Sequence, residues 1–303
     1  MAAFDDTGFD MNDPNPLPLA DAVERVAASV VGLVTRRQRS AGVIWRPGVA
    51  VACASALWRA GGGAAVVLPD GEQVDGDVRG IDPATDLAVV AFADRGTAPA
   101  ARVDGAAVRV GDAVFAVGRE PSGAVQASFG HVGAVAGAWR TWRGGRVDRL
   151  IRLDGGLYPG LAGAAVADAA GQVLGIASPA FSRHHGVVVP AATIDRVIDQ
   201  LLTHGRVQQG YLGIAAQPVR ASRDGQGVDG LLVSSVADDG PAARAGLLVG
   251  DVIVALGGQP VGSLDALRER LQVSAQVDVE IVRGGRAQTL KLQVAERPHG
   301  RCG

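Results

Sequence analysis

Short apolar runs separated by turn residues fill most of the chain between about residues 30 and 190. Runs rich in valine and alanine recur there, and Asp-Gly or Gly-Gly pairs separate several of them. The clearest runs are residues 29–34, 48–52, 64–68, 86–90, 112–117, 172–176 and 186–189. Runs of this length and spacing predict antiparallel strands in a barrel or sandwich. The 43 glycines fit so many turns and argue against a coiled coil.

Helical spacing marks the end of this strand-rich region. Ile194, Val197, Ile198 and Leu201 recur every three or four residues, with Thr193 as the predicted N-cap and Gly205 as the stop. A second group of strands is then predicted at residues 210–214, 231–235, 251–255, 277–282 and 289–294, with a polar loop over 220–230. A short helix is predicted to begin at Pro241, and a second one has Ser263 as its predicted N-cap.

The pattern divides the chain into four segments. Residues 1–20, rich in asparagine and proline, are predicted to be a disordered arm, and residues 298–303 a tail. Residues 21–205 form the first predicted folded domain and residues 206–297 the second.

Composition excludes several functional classes. A net charge of -2 argues against a dedicated nucleic-acid binder, and no apolar run is long enough for a membrane span. The two cysteines, Cys53 and Cys302, are too few for a disulfide framework or a four-cysteine zinc site. The first residues lack the basic and apolar regions of a secretory signal. The sequence as written therefore predicts a cytoplasmic address, or a periplasmic one if the natural N-terminus lies upstream.

Five stretches, taken in order, resemble the HtrA/Deg family, a trypsin-like serine protease domain followed by one PDZ domain. They are residues 80–90, 110–118, 158–165, 205–214 and 240–253. The resemblance implies a mainly β fold: a trypsin-like double β-barrel, then a PDZ domain built as a β-sandwich with two helices. It also implies a homotrimer and a polypeptide, or the C-terminus of a protein, as the partner.

The resemblance places the catalytic positions on three residues. Ser55 stands where the family has its histidine base, Asp86 matches the acid, and Ala162 replaces the nucleophilic serine. No histidine precedes His131, so a shift of the alignment cannot supply the base. The N–H groups of Gly160 and Ala162 match the oxyanion hole. The sequence therefore predicts an inactive protease homologue, without cofactor or metal, that binds polypeptides as an adaptor, scaffold or chaperone-like protein.

Other readings of the sites stay open. They are an ATP-independent serine endopeptidase, a relocated site on Cys53, and a metal-binding pseudoprotease that uses His131, His184 or His185. A basic-aromatic cluster around Trp139 and Trp142 could grip a peptide or nucleobases, or pack on a neighbouring subunit.

The predicted peptide site of the second domain is also implied by the resemblance. The backbone N–H groups of the loop Tyr211, Leu212, Gly213 and Ile214 would receive a terminal carboxylate. Apolar side chains of this loop and of a helix carrying Leu264, Leu267 and Leu271 would hold the last side chain. The alternative is that this domain only packs against the barrels.

Overall fold

A computed structural model describes residues 19–36, 38–58, 63–103, 107–157, 160–182, 184–223 and 226–297. The chain divides into two compact units between Val207 and Gln208. The predicted tail and all but the last two residues of the predicted arm lie outside the described residues. Those last two residues, 19 and 20, belong to a helix, so the arm prediction extended too far.

The first unit opens with a closed barrel of six strands. Helix α1 (Leu19–Ala27) leads into β1 (Val30–Val34), β2 (Arg39–Arg46) and β3 (Val49–Cys53), then the short helix α2 (Ala54–Leu57). Strands β4 (Gly63–Val67), β5 (Gln73–Asp82) and β6 (Leu87–Phe92) complete it, in the order β1-β2-β3-β6-β5-β4. Its interior is aliphatic, with Val31, Leu33, Ile44 and Leu68 fully buried.

A second closed barrel follows, and a hairpin projects from it. The barrel strands are β7 (Ala113–Arg119), β8 (Val125–Ala136), β11 (Leu150–Leu153), β12 (Ala165–Asp168), β13 (Val173–Ser178) and β14 (Val187–Pro190). Their order is β11-β14-β13-β12-β7-β8. Strands β9 (Trp139–Arg140) and β10 (Arg146–Val147) form the hairpin. The two barrels confirm the predicted trypsin-like double β-barrel.

Helix α3 (Ala191–His204) closes the first unit, but not with the predicted cap. The helix begins two residues before Thr193, and its N-cap position is Pro190, which has no side-chain cap. The Thr193 hydroxyl instead bonds Asp148, 2.9 Å from its carboxylate, and so ties the helix to the end of β10. The predicted stop is confirmed, because Gly205 ends the helix in the left-handed conformation.

The second unit is a strand sandwich with two short helices. After β15 (Gly210–Tyr211) come β16 (Ile214–Arg223), β17 (Gln226–Val236), α4 (Pro241–Arg244), β18 (Val252–Leu256), β19 (Gln259–Pro260), α5 (Leu264–Glu269), β20 (Gln276–Arg283), β21 (Arg286–Gln293) and β22 (Ala295–Glu296). The main sheet runs β16-β17-β18-β20-β21. The loop predicted over 220–230 was wrong: β16 and β17 pair from Ile214↔Val236 out to Arg223↔Gln226. Among the described residues, no helix has the length and apolar character needed to cross a membrane.

Two details of helix α5 bear on the predicted peptide site. The Ser263 hydroxyl accepts a hydrogen bond from Ala266 N–H at 3.1 Å, as predicted for its N-cap. The helix ends at Glu269, so Leu271 lies beyond it rather than on its inner face.

Candidate functional site

The carboxylate of Asp86 lies between the two barrels and accepts hydrogen bonds from residues of both. Asp86 is 2% exposed, and its backbone adopts a left-handed conformation, with φ 55°, that is unfavourable for a residue with a side chain. The Ser55 N–H donates to one carboxylate oxygen at 2.8 Å. The Ser178 hydroxyl donates to the other oxygen at 2.6 Å, and the Ser55 hydroxyl lies 3.3 Å from that same oxygen. Strained backbone with this many bonds is typical of a functional position.

Ser55 therefore occupies the place from which Asp86 would orient a base. It lies in the first turn of α2, directly after β3, and it is exposed. An alcohol has no basic lone pair at neutral pH comparable to that of an imidazole, so Ser55 cannot take a proton from a nucleophile as a histidine does. The contact between Ser55 and Asp86 is a hydrogen bond without acid–base chemistry.

Ala162 lies in a turn wedged against the first barrel. Gly160 and Gly163, with φ 94° and 78°, supply the left-handed residues on either side of it. The Ala162 carbonyl accepts from Ala41 N–H at 3.0 Å, and a Cβ on Gly163 would lie 3.3 Å from Cys53 N. This turn is thus packed beside the end of β3, the strand that leads into Ser55.

Gly160 and Ala162 are the positions predicted for an oxyanion hole. Among the described residues, no backbone carbonyl accepts from the N–H groups of Gly160 and Ala162. Two such donors can bind a carbonyl or carboxylate oxygen.

The surroundings of Cys53 argue against a cysteine-based catalytic site. Cys53 is fully buried, and its thiol donates to the Ala177 carbonyl at 3.2 Å. Burial, followed by the neighbouring Asp86 carboxylate, raises the pKa of the Cys53 thiol well above its ordinary value. A nucleophilic cysteine needs the opposite shift.

The histidines are dispersed. His131 lies 3.6 Å from Asp154 through Nδ1, and both side chains are more than half exposed. The backbone N–H groups of His184 and His185 both donate to the Ser182 hydroxyl. Across the described part of the chain, no three His, Cys, Asp or Glu side chains are grouped so that they could hold a metal ion. The metal-binding alternative therefore has no ligand set there.

The basic-aromatic cluster is a hairpin with one anchored and one exposed tryptophan. Trp139 packs edge-on against Phe181, with ring centroids 5.4 Å apart. Trp142 is 77% exposed and carries the Arg143 guanidinium 4.4 Å above its ring. The Thr141 hydroxyl donates to the Ala84 carbonyl, which holds the hairpin against the loop before Asp86.

In the second unit, the predicted carboxylate loop has free donors. The carbonyls of Leu212 and Gly213 accept from Ala242 and Ala237 at 2.9 and 2.8 Å. In contrast, no described backbone carbonyl accepts from their N–H groups. Gly213 has φ 78°, and a Cβ there would lie 3.2 Å from Gly240 Cα, so the turn needs glycine.

The apolar residues predicted beside this loop divide into two groups. Leu212 and Leu267 are buried in the core of the unit, so their side chains are not exposed to a ligand. Ile214, Leu264 and Leu271 are only partly buried against that core and remain available to a ligand. Leu271 also packs against the backbone of Gly210, next to Tyr211. The peptide site itself stays a prediction.

Ser178 is the site residue that sequence reasoning missed. It is fully buried at the end of β13, and its contact with Asp86 joins residues 92 positions apart. The only local signal was a polar residue at the end of an otherwise apolar strand.

Comparison with known proteins agrees with this architecture. The trypsin-like peptidase domain model matches residues 40–176, and the PDZ domain model matches residues 232–283. A relative from Brucella suis biovar 1 is 34% identical over 253 residues, and the match covers 77% of this chain and 48% of the relative. One from Pseudomonas putida strain W619 is 32% identical, and the match covers 77% of this chain and 50% of the relative. Both are named probable periplasmic serine endoprotease DegP-like.

Solved structures share the fold over nearly the whole chain. The HtrA-type protease AlgW with a tripeptide matches with TM-score 0.76 and 27% identity, covering 94% of this chain and 99% of its own. A serine endoprotease from Yersinia pestis matches with TM-score 0.76 and 25% identity, covering 92% and 98%. The chain spans about half the length of the curated relatives it matches. By its fold, its two domain matches and these relatives, the chain belongs to the HtrA/DegP family of trypsin-like serine proteases with a C-terminal PDZ domain.

Proposed function

We propose that the chain is an HtrA-type pseudoprotease, which binds polypeptides through its PDZ domain and its degenerate cleft without hydrolysing them. The observation that carries the proposal is the contact of Asp86 with a serine, Ser55, where the reaction needs a histidine. Ala162 at the nucleophile position adds to it, because a methyl group has no proton to lose and no lone pair to attack with.

The size of the expected reduction in kcat supports this proposal. Removal of the nucleophile or the base from a Ser-His-Asp site lowers kcat on the order of 10⁶-fold. That factor corresponds to about 8 kcal/mol of activation free energy. The remaining donors of Gly160 and Ala162 would then serve only to bind a carbonyl oxygen of a bound chain. Such a protein acts as an adaptor, a scaffold or a chaperone-like module.

Two assays on the wild-type chain test the absence of hydrolysis. Unfolded casein should stay intact during prolonged incubation, and a fluorophosphonate probe should leave the protein unlabelled. An active HtrA-type protease run in parallel is the positive control for both. Fluorophosphonate labelling of the wild-type chain would overturn the proposal.

The names of the relatives favour a second candidate, an ATP-independent serine endopeptidase. The trypsin-like domain match and the intact Asp86 geometry are consistent with it. It needs a nucleophile and a base that Ala162 and Ser55 do not provide. Casein cleavage that co-purifies with the wild-type chain, but is lost on mutation of Asp86 to asparagine, would establish this candidate instead.

The proposed ligand of the PDZ domain is the free C-terminus of a polypeptide. The unused N–H groups of Leu212 and Gly213 would receive the carboxylate, and Ile214, Leu264 and Leu271 would contact the last side chain. A library of peptides with free C-termini, screened against the full chain, tests this. The Gly213→Val variant should lose binding, because a branched side chain is strained at φ 78°. Val249→Ala, on an exposed loop residue, is the matched control.

The cellular address and the assembly are proposals as well. The comparisons give no support to the cytoplasmic expectation, and the names of the relatives support a periplasmic address. Cell fractionation of the native protein decides between the two. A homotrimer follows from the resemblance, and light scattering tests it against a monomer of 30.8 kDa.

A further inference from the structure

The unpaired edge of strand β16 contains a proline, which bears on how many residues of a peptide ligand can form main-chain hydrogen bonds with that edge. Strand β16 is the outermost strand of its sheet, with β17 on one side. Among the described residues, no strand pairs with its other side. Helix α5 packs beside this strand, so the open edge and the helix form the two walls of the groove.

Hydrogen bonds of the neighbouring strand show which way the groups of Ala216 point. The Val233 N–H donates to Asp251 at 2.8 Å, and its carbonyl accepts from Gly250 at 2.9 Å. Both groups are therefore used on the side away from β16. Ala216 stands opposite Val233, so the two form a pair without mutual hydrogen bonds. The N–H and carbonyl of Ala216 consequently point to the open edge.

The same direction recurs every second residue along a strand. Before Ala216, the bond from Ala237 N–H to the Gly213 carbonyl places the groups of Ile214 toward the edge. After Ala216, Pro218 stands opposite Leu231 and faces the edge as well. The pairing shifts register near Ala215, and the extra residue at this shift is on β17. In β16 the backbone groups therefore keep pointing alternately toward β17 and toward the open edge.

Proline changes this edge in two ways. Its nitrogen carries no hydrogen, so the third edge position has a carbonyl but no donor. Its ring also occupies the space in which a paired carbonyl of an added strand would lie. The edge thus has donors at Ile214 and Ala216, and its row of donors is interrupted at Pro218.

We propose that Pro218 restricts main-chain recognition in the groove to the last three residues of a C-terminal peptide. The proposal rests on the proposed function, in which the terminal carboxylate binds the N–H groups of Leu212 and Gly213. Antiparallel addition then puts the last residue opposite Ile214, the third from last opposite Ala216 and the fifth from last opposite Pro218. The third from last exchanges two hydrogen bonds with Ala216. The carbonyl of the fifth finds no donor.

The side chains define the ligand class. Directly opposite residues of an antiparallel pair lie on the same face of the sheet. Ile214 and Ala216 face the core of the unit, so the last and third-from-last side chains of the ligand face it as well. The ligand is therefore a short tail with a free carboxylate, apolar at its last position, whose continuous main-chain pairing ends at its third-from-last residue.

Calorimetry with peptides of different length tests the proposal. The probes are N-acetyl peptides of three, five and seven residues that share the C-terminal sequence of the tightest binder from the library. The wild-type chain should bind all three with the same affinity. The Pro218→Ala variant regains one N–H donor, so the five- and seven-residue peptides should bind it about three- to tenfold tighter than the tripeptide does.

Matched controls separate this effect from others. Gln217→Ala alters the neighbouring residue, whose N–H points toward β17, so its length profile should equal that of the wild type. Circular dichroism checks that both variants are folded. A length-dependent gain in the wild type as large as that in Pro218→Ala would overturn the proposal while leaving the proposed function intact. If no library peptide binds, the proposed function of the groove fails instead.

Discussion

Single residues decide whether this chain can perform the chemistry of its family. The Asp86 carboxylate keeps two firm hydrogen bonds, at 2.8 Å from Ser55 N–H and 2.6 Å from Ser178. Neither bond involves a histidine, because one comes from the Ser55 backbone and the other from a side chain of a different barrel. The orientation of the Asp86 carboxylate is thus independent of the side chain at position 55.

Restoring the two missing side chains should therefore restore hydrolysis. In Ser55→His with Ala162→Ser, Asp86 is already placed to orient the new imidazole, and Gly160 keeps its donor. We expect casein cleavage and fluorophosphonate labelling at least about a hundredfold above either single variant, because the base and nucleophile act as one unit. The two single variants are the controls. An inactive but folded double variant would show that the cleft has lost more than two side chains.

A partly buried ion pair contributes to the acid sensitivity of the PDZ unit. Asp251 is 1% exposed, and both its oxygens lie 2.7 Å from Arg283 nitrogens. Burial opposes ionisation of Asp251, but the bonds from Arg283 and the Leu248 N–H outweigh burial and lower its pKa. A lowered pKa in the folded state stabilises the fold above pH ~4, and this stability is lost as the pH falls through the folded value.

The Arg283→Met variant tests this pair. It leaves the Asp251 carboxylate without its cation, so we expect a loss of about 3 kcal/mol of unfolding free energy at pH 7. The loss should shrink at pH 3, where protonation removes the unpaired charge. Calorimetric melting at both pH values measures it, with exposed Arg286→Met as the control. An equal loss at pH 3 and pH 7 would mean that packing, rather than charge, is responsible.

At the scale of elements, local pattern predicted strands well where they are buried on both faces. All seven apolar runs of the first unit became strands, because continuous valine and alanine suit barrel interiors. The outer part of the β16–β17 hairpin, over residues 220–230, was taken for a loop because it is polar and is held by pairing rather than by burial. Thr193 failed as a cap because a distant carboxylate, Asp148, binds its hydroxyl.

A buried guanidinium joins the C-terminal end of helix α1 to the barrel strands. Arg119 donates to the carbonyls of Ala27, Val30 and Gly123, each at 2.8 Å. Burial lowers the pKa of Arg119. Its loss would leave carbonyls without donors in a dry environment.

Arg119→Met should therefore destabilise the first unit by about 2–4 kcal/mol. Urea unfolding followed by tryptophan fluorescence measures it, since all four tryptophans precede Val207. Arg109→Met, on a side chain 83% exposed, is the control and should change little. Equal stability of the two variants would contradict the assigned role of Arg119.

At the scale of the whole molecule, the two units have separate cores. The core of the second unit is made from its own residues, including Leu231, Ile253, Val279 and Ile281. The order of family motifs allowed this division to be predicted from sequence. The long-range contacts of the site, such as that between Ser178 and Asp86, required the closed barrels and had no local signal.

A fragment of residues 208–297 should consequently fold alone. Its circular dichroism should show a cooperative melt, and it should bind the library peptides with the affinity of the full chain. The Gly213→Val fragment is the control for specific binding. A fragment that is unfolded would place part of its stability in the first unit.

Pro218 has a consequence beyond ligand length, in the solubility of the protein. A strand that stays open for a peptide is equally open to the strand of another molecule, and long open edges promote the growth of fibrils. The missing donor at Pro218 interrupts the row of donors along this edge, with Ile214 and Ala216 on one side of it and Arg220 and Ser222 on the other. A strand of a second molecule that pairs along this edge would therefore meet a break at Pro218, which disfavours a continuous intermolecular sheet.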